Sequence, residues 1–231
     1  MPKNAVKAIL FDVGQPLVED SAIDEFWNRW LAGFLSDHLG REITLKEILK
    51  KQDEGIRCYA PSIFSYVIWS YVRPNTRLFQ DIRSRFDTLD YPSLLTVRPE
   101  AVEVCRQLSE KYVLATAANQ PDITAEILEN AGVLSHFTFR EMSAGIGYSK
   151  PDLRFFTYIL DQIGIQPENA VMVGDRPDND IVPAKMLGMY ALRWKGGLFK
   201  DQEVRLPSEE PDGELTSLHE LPGLIEKLDS E

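Results

Sequence analysis

Cysteine is nearly absent from this sequence. The 231 residues contain only Cys58 and Cys105, which stand far apart and match no metal-binding or redox spacing. A disulfide framework is therefore not expected. We predict that the chain works in a reducing compartment, the cytoplasm.

Long apolar runs and an excess of positive charge are also missing. No run is long enough to span a bilayer, and the chain passes from Met1 into its first strand without the pattern of a signal peptide. The formal net charge is −11, which argues against nucleic-acid and anionic-membrane partners. An anionic substrate would therefore need a local positive centre, such as a metal ion or a lysine.

What is present is the composition of an ordinary globular protein, with 44% hydrophobic and 26% charged residues. The apolar run at 6–11 predicts a buried strand, which ends at Asp12 before turn-forming residues. An isolated aspartate in this position can simply cap a turn. In an open parallel sheet, however, ligands bind at the carboxyl ends of the strands.

Residues 17–92 carry helical patterns that predict a small bundle inserted after this strand. Ser21 with Asp24 resembles a capping box at the start of the first helix, and Thr44 with Glu47 is expected to start a second helix. The first helix is expected to bury one apolar face, formed by Ile23, Phe26, Trp27, Trp30, Phe34 and Leu35. Aromatic side chains at helical spacing usually belong to a core, although some could line a pocket.

From residue 99 onward helices and strands alternate, which predicts a parallel α/β sheet. Strands are expected at 112–118, 137–139, 170–173, 190–194 and 214–216. Helices are expected to begin at Pro151 and Asp180. Asp175 follows a buried strand as Asp12 does, so the two carboxylates should emerge at one sheet edge. They would repel each other unless a proton or a cation lies between them, and the nearby Asp180 favours Mg²⁺ held by oxygen ligands.

The motif residues resemble those of the haloacid dehalogenase superfamily, whose members mostly transfer phosphoryl groups to water. They are Asp12, Lys150 in Ser149-Lys150-Pro151, Asp175 after Gly174, and Asp180. The resemblance covers nearly the whole chain. It implies an α/β fold in which residues 1–16 and 93–231 form a Rossmann-like parallel-sheet core and residues 17–92 form an α-helical cap.

The same resemblance implies a catalytic and a metal-binding role for these residues. Asp12 would attack phosphorus and form an aspartyl-phosphate, while Lys150 would balance the charge of nucleophile and phosphoryl group. Asp12, Asp175 and the backbone carbonyl of Gly14 would hold Mg²⁺, and Asp180 would orient the metal site.

Three positions depart from the family pattern. Gly14 replaces the second aspartate of the first motif. In the family this aspartate gives a proton to the leaving group and then takes one from water, and such general acid–base catalysis is worth about 10²–10⁴-fold in rate. Pro16 replaces the usual threonine. Ala118 replaces the serine or threonine of the second motif, which leaves the backbone amide of Asn119 as a phosphate contact, and Thr116 lies too deep to substitute.

Four functions fit these residues to different degrees. The first is a Mg²⁺-dependent phosphatase, slow or restricted, that acts on a small phosphorylated metabolite as a monomer or homodimer. The second is a catalytically silent protein that binds Mg²⁺ and phosphate. The third is a 2-haloacid dehalogenase whose substrate carboxylate is held by Arg29 or Arg41. Phosphonate cleavage, the fourth, needs a Schiff-base lysine, for which Lys46, Lys50 and Lys51 are the cap candidates.

Overall fold

The computed structural model describes residues 5–86 and 88–229 of the chain. The strands are β1 (Ala8–Phe11), β2 (Val18–Glu19), β3 (Thr96–Val97), β4 (Val113–Thr116), β5 (Ala170–Gly174), β6 (Tyr190–Trp194) and β7 (Gly213–Leu215). The helices are α1 (Ser21–Leu39), α2 (Leu45–Arg57), α3 (Ile63–Val72), α4 (Thr76–Phe86), α5 (Tyr91–Leu94), α6 (Ala101–Ser109), α7 (Asp122–Asn130), α8 (Ser143–Ile146), α9 (Leu153–Ile163), α10 (Val182–Met186) and α11 (Leu221–Leu228).

Five of the strands form one parallel sheet in the order β4-β1-β5-β6-β7. Strand β1 lies between two partners, so that Leu10 faces Ala115 on one side and Met172 on the other. Every residue of β1, β5 and β6 is buried, as expected for strands covered on both faces. The predicted fold class, an α/β Rossmann-like parallel sheet with helices, is confirmed.

The core on one face of this sheet is built by α9. Apolar side chains of β1, β4, β5 and β6 pack there against those of the helix. The helix contributes Phe155, Phe156, Ile159 and Leu160, whose spacing of three and four residues puts them on one helical face. This packing holds the strands that end at the candidate site.

The chain divides into two compact units. Met1–Asp20 with Leu95–Glu231 form the first unit, and Ser21–Leu94 form the second. The sequence predicts boundaries at 16/17 and 92/93, and the role of the second unit as a lid remains a prediction. Both connections of the first unit lie in a two-stranded antiparallel ribbon, in which Val18 of β2 faces Val97 of β3.

The second unit is helical and has its own apolar core. Helix α1 buries Ile23, Trp27 and Leu35, and Trp27 packs edge-on against Phe86 with ring centroids 5.0 Å apart. Phe26 was expected on the same face but is 48% exposed, because consecutive residues are about 100° apart around a helix. The expected aromatic core therefore holds for Trp27 and fails for Phe26.

The helix start predicted at Thr44 and Glu47 is confirmed, and the structure shows that the two residues form a capping box there. Thr44 Oγ1 accepts the Glu47 N–H at 3.3 Å, and Glu47 Oε2 accepts the Thr44 N–H at 2.8 Å. These two hydrogen bonds satisfy backbone donors that a helix start otherwise leaves unpaired. Among the described residues, the structure has no helix that is both long enough and apolar enough to span a membrane.

Three sequence predictions about secondary structure are wrong, and two of them concern residues 137–139 and the helix start at Pro151. Residues 137–139 form a single bridge, Ala115 to Phe139, because only the Leu114 carbonyl and the Thr116 N–H reach this segment. The helix expected to begin at Pro151 begins at Leu153, because the Asp152 carboxylate accepts the Arg154 N–H at 2.9 Å and caps it.

The segment around Asp180 also differs from the prediction. Asp180 lies in a π-helical turn, Pro177–Ile181, and the α-helix begins only at Val182. Asp180 Oδ2 accepts the N–H of Arg176 at 2.9 Å. The aspartate therefore closes the turn that follows β5 instead of starting a helix.

Candidate active site

Asp12 stands directly after β1, and its backbone still pairs with the neighbouring strand. Its N–H donates to the Val173 carbonyl at 2.8 Å, and its carboxylate accepts the Val13 N–H at 2.8 Å. The residue is buried, and this burial raises the pKa of Asp12 to about 6, although Lys150 acts in the opposite direction. The ionised form of Asp12 therefore depends on a nearby positive charge.

Lys150 supplies positive charge to two of the carboxylates. Its Nζ lies 3.0 Å from Asp12 Oδ1 and 2.6 Å from Asp180 Oδ1. Burial acts to lower the pKa of Lys150, but the charges of Asp12 and Asp180 outweigh it and raise the pKa above its usual value. Lys150 is therefore a charged ammonium that links Asp12, at the end of β1, to Asp180, in the turn after β5.

The side chain of Asn119 fixes the backbone of Lys150. Asn119 Oδ1 accepts the Lys150 N–H at 2.9 Å, and Asn119 Nδ2 donates to the Lys150 carbonyl at 2.9 Å. This pair of bonds joins the loop after β4 to the loop before α9. Sequence reasoning missed it, although an asparagine at the end of a strand was a usable signal.

Asp175 follows β5 and completes a group of three buried carboxylates. Ligand oxygens of Asp12, Asp175 and Asp180 lie within 4.8 Å of one another. Burial, with the charges of Asp12 and Asp180, raises the pKa of Asp175 well above its ordinary value. The close approach requires glycine at position 174, because a Cβ there would lie 2.3 Å from Asp180 Cγ.

This group of carboxylates fits a divalent cation. It sets three carboxylates against the single ammonium of Lys150, which pairs with Asp12 and Asp180. Within residues 5–86 and 88–229, no basic side chain lies within ion-pair distance of Asp175. Clustered carboxylate oxygens that lack a counter-charge are the ligands preferred by Mg²⁺ and Ca²⁺.

The remaining predicted site residues occupy quite different environments. Ala118 is fully buried, and its carbonyl accepts the Ser143 N–H at 3.1 Å. Thr116 is also fully buried, and its hydroxyl donates to the Glu141 carbonyl at 2.9 Å. Neither residue therefore offers a free side-chain hydrogen-bonding group to a phosphate. The phosphate contact expected from the backbone amide of Asn119 remains a prediction.

Gly14 lies in the turn that follows Asp12, opposite Val18. A Cβ built at Gly14 would lie 3.0 Å from Gln120 Nε2 and 3.2 Å from Asp20 Oδ2. Partial burial raises the pKa of Asp20, while a hydrogen bond from the Gln15 side chain acts to lower it. Sequence reasoning missed Asp20 and Gln15, since only the folding of the turn brings them beside position 14.

The chain is similar to known phosphatases. Glyceraldehyde 3-phosphate phosphatase of Methanopyrus kandleri is 26% identical over 96% of this chain and 98% of its own length. Phosphoserine phosphatase of Thermus thermophilus is 36% identical over 44% of this chain and 39% of its own. These names support a phosphatase and do not favour the silent-binding, dehalogenase or phosphonate-cleaving alternatives.

The fold is similar to that of solved structures, and the sequence matches a family model. YfnB of Bacillus subtilis, solved with bound magnesium, superposes with a TM-score of 0.70 at 18% identity, over 96% of this chain and 99% of its own. The model that describes haloacid dehalogenase-like hydrolases matches residues 6–188. The parallel sheet, the carboxylates at its edge and this match lead to one conclusion, that the chain belongs to the haloacid dehalogenase-like hydrolases.

Proposed function

We propose that this hydrolase is a Mg²⁺-dependent phosphatase that cleaves a small phosphorylated metabolite through an aspartyl-phosphate on Asp12. The observation that carries the proposal is the buried contact of Lys150 with Asp12 and Asp180, next to the Asp175 carboxylate. A nucleophilic carboxylate, a fixed ammonium and an oxygen-rich cation site are the groups that phosphoryl transfer to a carboxylate requires.

Each side chain has a distinct part in the proposed reaction. Asp12 attacks phosphorus, and the Lys150 ammonium balances the negative charge that gathers on Asp12 and the phosphoryl oxygens. Asp180 accepts a hydrogen bond from the ammonium and so keeps it directed at Asp12. Asn119 holds the lysine backbone in place, and its backbone amide is available to a phosphate oxygen.

Asp12, Asp175 and the Gly14 carbonyl would hold the Mg²⁺, and Asp180 would orient these ligands. When bound, Mg²⁺ supplies positive charge that screens the carboxylates from an anionic substrate. The donor set supports this assignment, because ligand oxygens of Asp175 and of two other carboxylates lie within 4.8 Å of one another, and burial together with those charges raises the pKa of Asp175.

The substrate class follows from charge and from the relatives. A chain with a formal net charge of −11 repels nucleic acid and anionic membranes, whereas a small phosphate ester needs only the local positive centre. The relatives named above are phosphatases of glyceraldehyde 3-phosphate and of phosphoserine. We propose a substrate of this size, handled in the cytoplasm by a monomer or homodimer.

The test is phosphate release from a panel of sugar, amino-acid and aryl phosphates, with Mg²⁺ and with a chelator. We expect turnover that needs Mg²⁺ and that falls at least about 10³-fold in Asp12→Asn, which removes the nucleophile. Asp161→Asn is the matched control, because it removes an exposed carboxylate on α9. Binding of Mg²⁺ and beryllium fluoride without turnover on any substrate would contradict the proposal.

A further inference from the structure

The place of the missing second aspartate is filled from elsewhere in the chain. Gly14 has no side chain, yet an added Cβ would meet Asp20 Oδ2 at 3.2 Å and Gln120 Nε2 at 3.0 Å. Such distances are tighter than ordinary van der Waals contact. The space into which a side chain at position 14 would point is therefore already occupied by a carboxylate and an amide.

The turn after Asp12 explains how Asp20 returns to this place. The N–H groups of Leu17 and Val18 both donate to the Val13 carbonyl at 3.1 Å, which folds the chain back on itself. Gly14 then lies opposite Val18. Asp20, two residues further on, stands beside Gly14 although six positions separate them in the sequence.

The Asp20 carboxylate is held in place by the side chain of Gln15. Gln15 Nε2 donates a hydrogen bond to Asp20 Oδ1. Gln15 has a φ of 72°, a left-handed conformation that only a minority of non-glycine residues adopt. Arg98 Nε donates to the Gln15 carbonyl at 2.6 Å, and the Arg98 guanidinium stacks on the Trp194 ring at 4.6 Å. These contacts keep the Gln15 amide directed at Asp20.

Asp20 also lies near the group of three carboxylates. Burial and the charges of Asp12 and Asp180 raise the pKa of Asp175, and the charge of Asp20 acts in the same direction. Glu19, the neighbouring carboxylate in the sequence, is instead paired with Arg98 at 3.2 Å. Of the two acidic residues in this segment, Asp20 is the one that faces position 14.

We infer that Asp20 replaces the missing second aspartate and carries the proton during phosphoryl transfer. The inference rests on the proposed phosphatase function and adds a catalytic residue to it. Gln15 is a positioning residue that holds Asp20, and Gln120 fills the rest of the space with an amide that transfers no proton.

The two chemical steps balance with Asp20 in this role. In the first step an Asp12 oxygen bonds to phosphorus, the bond from phosphorus to the leaving oxygen breaks, and the Asp20 carboxylic acid gives its proton to that oxygen. In the second step the Asp20 carboxylate takes a proton from water as the water oxygen bonds to phosphorus. The bond from phosphorus to Asp12 then breaks, which releases phosphate and restores both side chains.

The experiment compares Asp20→Asn with wild type and with the control Asp161→Asn, on p-nitrophenyl phosphate and on the best metabolite substrate. Asparagine keeps the shape of Asp20 and can still bond to Gln15, but it transfers no proton. We expect turnover of the metabolite to fall by about 10²–10⁴-fold. The aryl leaving group needs no proton, so Asp20→Asn should release about one nitrophenol per site in a burst before slow turnover.

A relocation variant separates this role from a structural one. In the double variant Gly14→Asp/Asp20→Asn the carboxylate returns to position 14. We expect this variant to turn over the metabolite at least about 10-fold faster than Asp20→Asn alone. Gly14→Asp alone should gain no rate, because the added carboxylate would lie against the Asp20 carboxylate and the two negative charges would repel each other. Beryllium fluoride binding with Mg²⁺, measured on every variant, reports whether the site is still assembled.

The outcomes distinguish this inference from the proposed function. An Asp20→Asn rate within threefold of wild type, with no burst, would overturn the role of Asp20 and leave the phosphatase standing. A lost rate that the double variant does not restore, together with lost beryllium fluoride binding, would assign Asp20 a purely structural role and also overturn it. Wild-type protein inert on the entire panel would overturn both.

Discussion

At the scale of single residues, Lys150 is the charge on which the candidate site depends. Its ammonium contacts Asp12 and Asp180, and the side chains of Lys150 and Asp180 are 3% and 0% exposed. Charges at this depth are tolerated only when they are paired. The lysine therefore stabilises the fold, and in the proposed reaction it would also prepare Asp12 for attack.

Lys150→Ala should remove both effects. We expect phosphatase activity to fall at least about 10²-fold and the free energy of unfolding to fall by about 3–5 kcal/mol, because two buried carboxylates lose their cation. Denaturant unfolding and phosphate release measure the two quantities. Lys7→Ala, at an exposed lysine, should change neither, and a Lys150→Ala protein as stable as wild type would contradict the buried ion pair.

The two cysteines should differ sharply in reactivity. Burial raises the pKa of Cys105 to about 12, so its reactive thiolate form is scarce at pH 8, whereas Cys58 is exposed. We expect a thiol-disulfide reagent to modify one thiol per folded chain and two after unfolding in denaturant. Rapid reaction of both thiols in the native protein, traced by a Cys58→Ser variant, would contradict the burial of Cys105.

At the scale of elements, the end of β5 allows no side chain at position 174. Gly174→Ala would press a methyl group into Asp180 and displace it from Lys150. We expect a loss of at least about 10-fold in activity and a destabilisation of about 1–3 kcal/mol, as for overpacking. Thermal unfolding and phosphate release report both effects.

Gly223→Ala is the matched control for that substitution. Gly223 lies within α11, and a Cβ there would meet no atom within 4 Å. Alanine in an open helical position stabilises by about 0.5–1 kcal/mol. The glycine-to-alanine change should thus lower the free energy of unfolding at position 174 and raise it at position 223. A rise at both positions would mean that Gly174 does not pack against Asp180.

At the scale of elements, the sequence predicted the strands that end at the site but not the loops that follow them. Apolar runs that end in aspartate predicted β1 and β5, and the structure does bring Asp12 and Asp175 together. Periodicity could not predict the hydrogen bonds of the Asn119 side chain or the return of Asp20 beside Gly14, because both depend on how a loop folds. Residues 137–139 look like a strand, but only two backbone groups of β4 are available to them.

At the scale of the whole molecule, the β2–β3 ribbon carries both connections of the first compact unit. Since Val18 faces Val97 and Glu19 faces Thr96, the chain leaves and re-enters this unit at adjacent positions. Residues 21–94 could thus be replaced by a two-residue Asn-Gly turn, which suits a hairpin.

We expect that shortened chain to fold and to bind Mg²⁺ with beryllium fluoride. Circular dichroism and thermal unfolding test the fold, and fluoride-dependent stabilisation tests the site. If residues 21–94 act as a lid, the KM for metabolite phosphates should rise at least about 10-fold while an aryl phosphate is affected less. A chain that remains unfolded would contradict the independence of the first unit.

The central position of β1 in the sheet has a consequence for hydrogen exchange. Strand β1 is hydrogen-bonded to β4 and to β5, so its amide protons should exchange with deuterium only through global unfolding. Residues 14–20 are held by one turn, by the short β2–β3 ribbon and by a few side-chain bonds, so their protons should exchange through local opening. Asp12 lies at the boundary between these two regimes, so the segment beside it would open to solvent while Asp12 itself stays fixed.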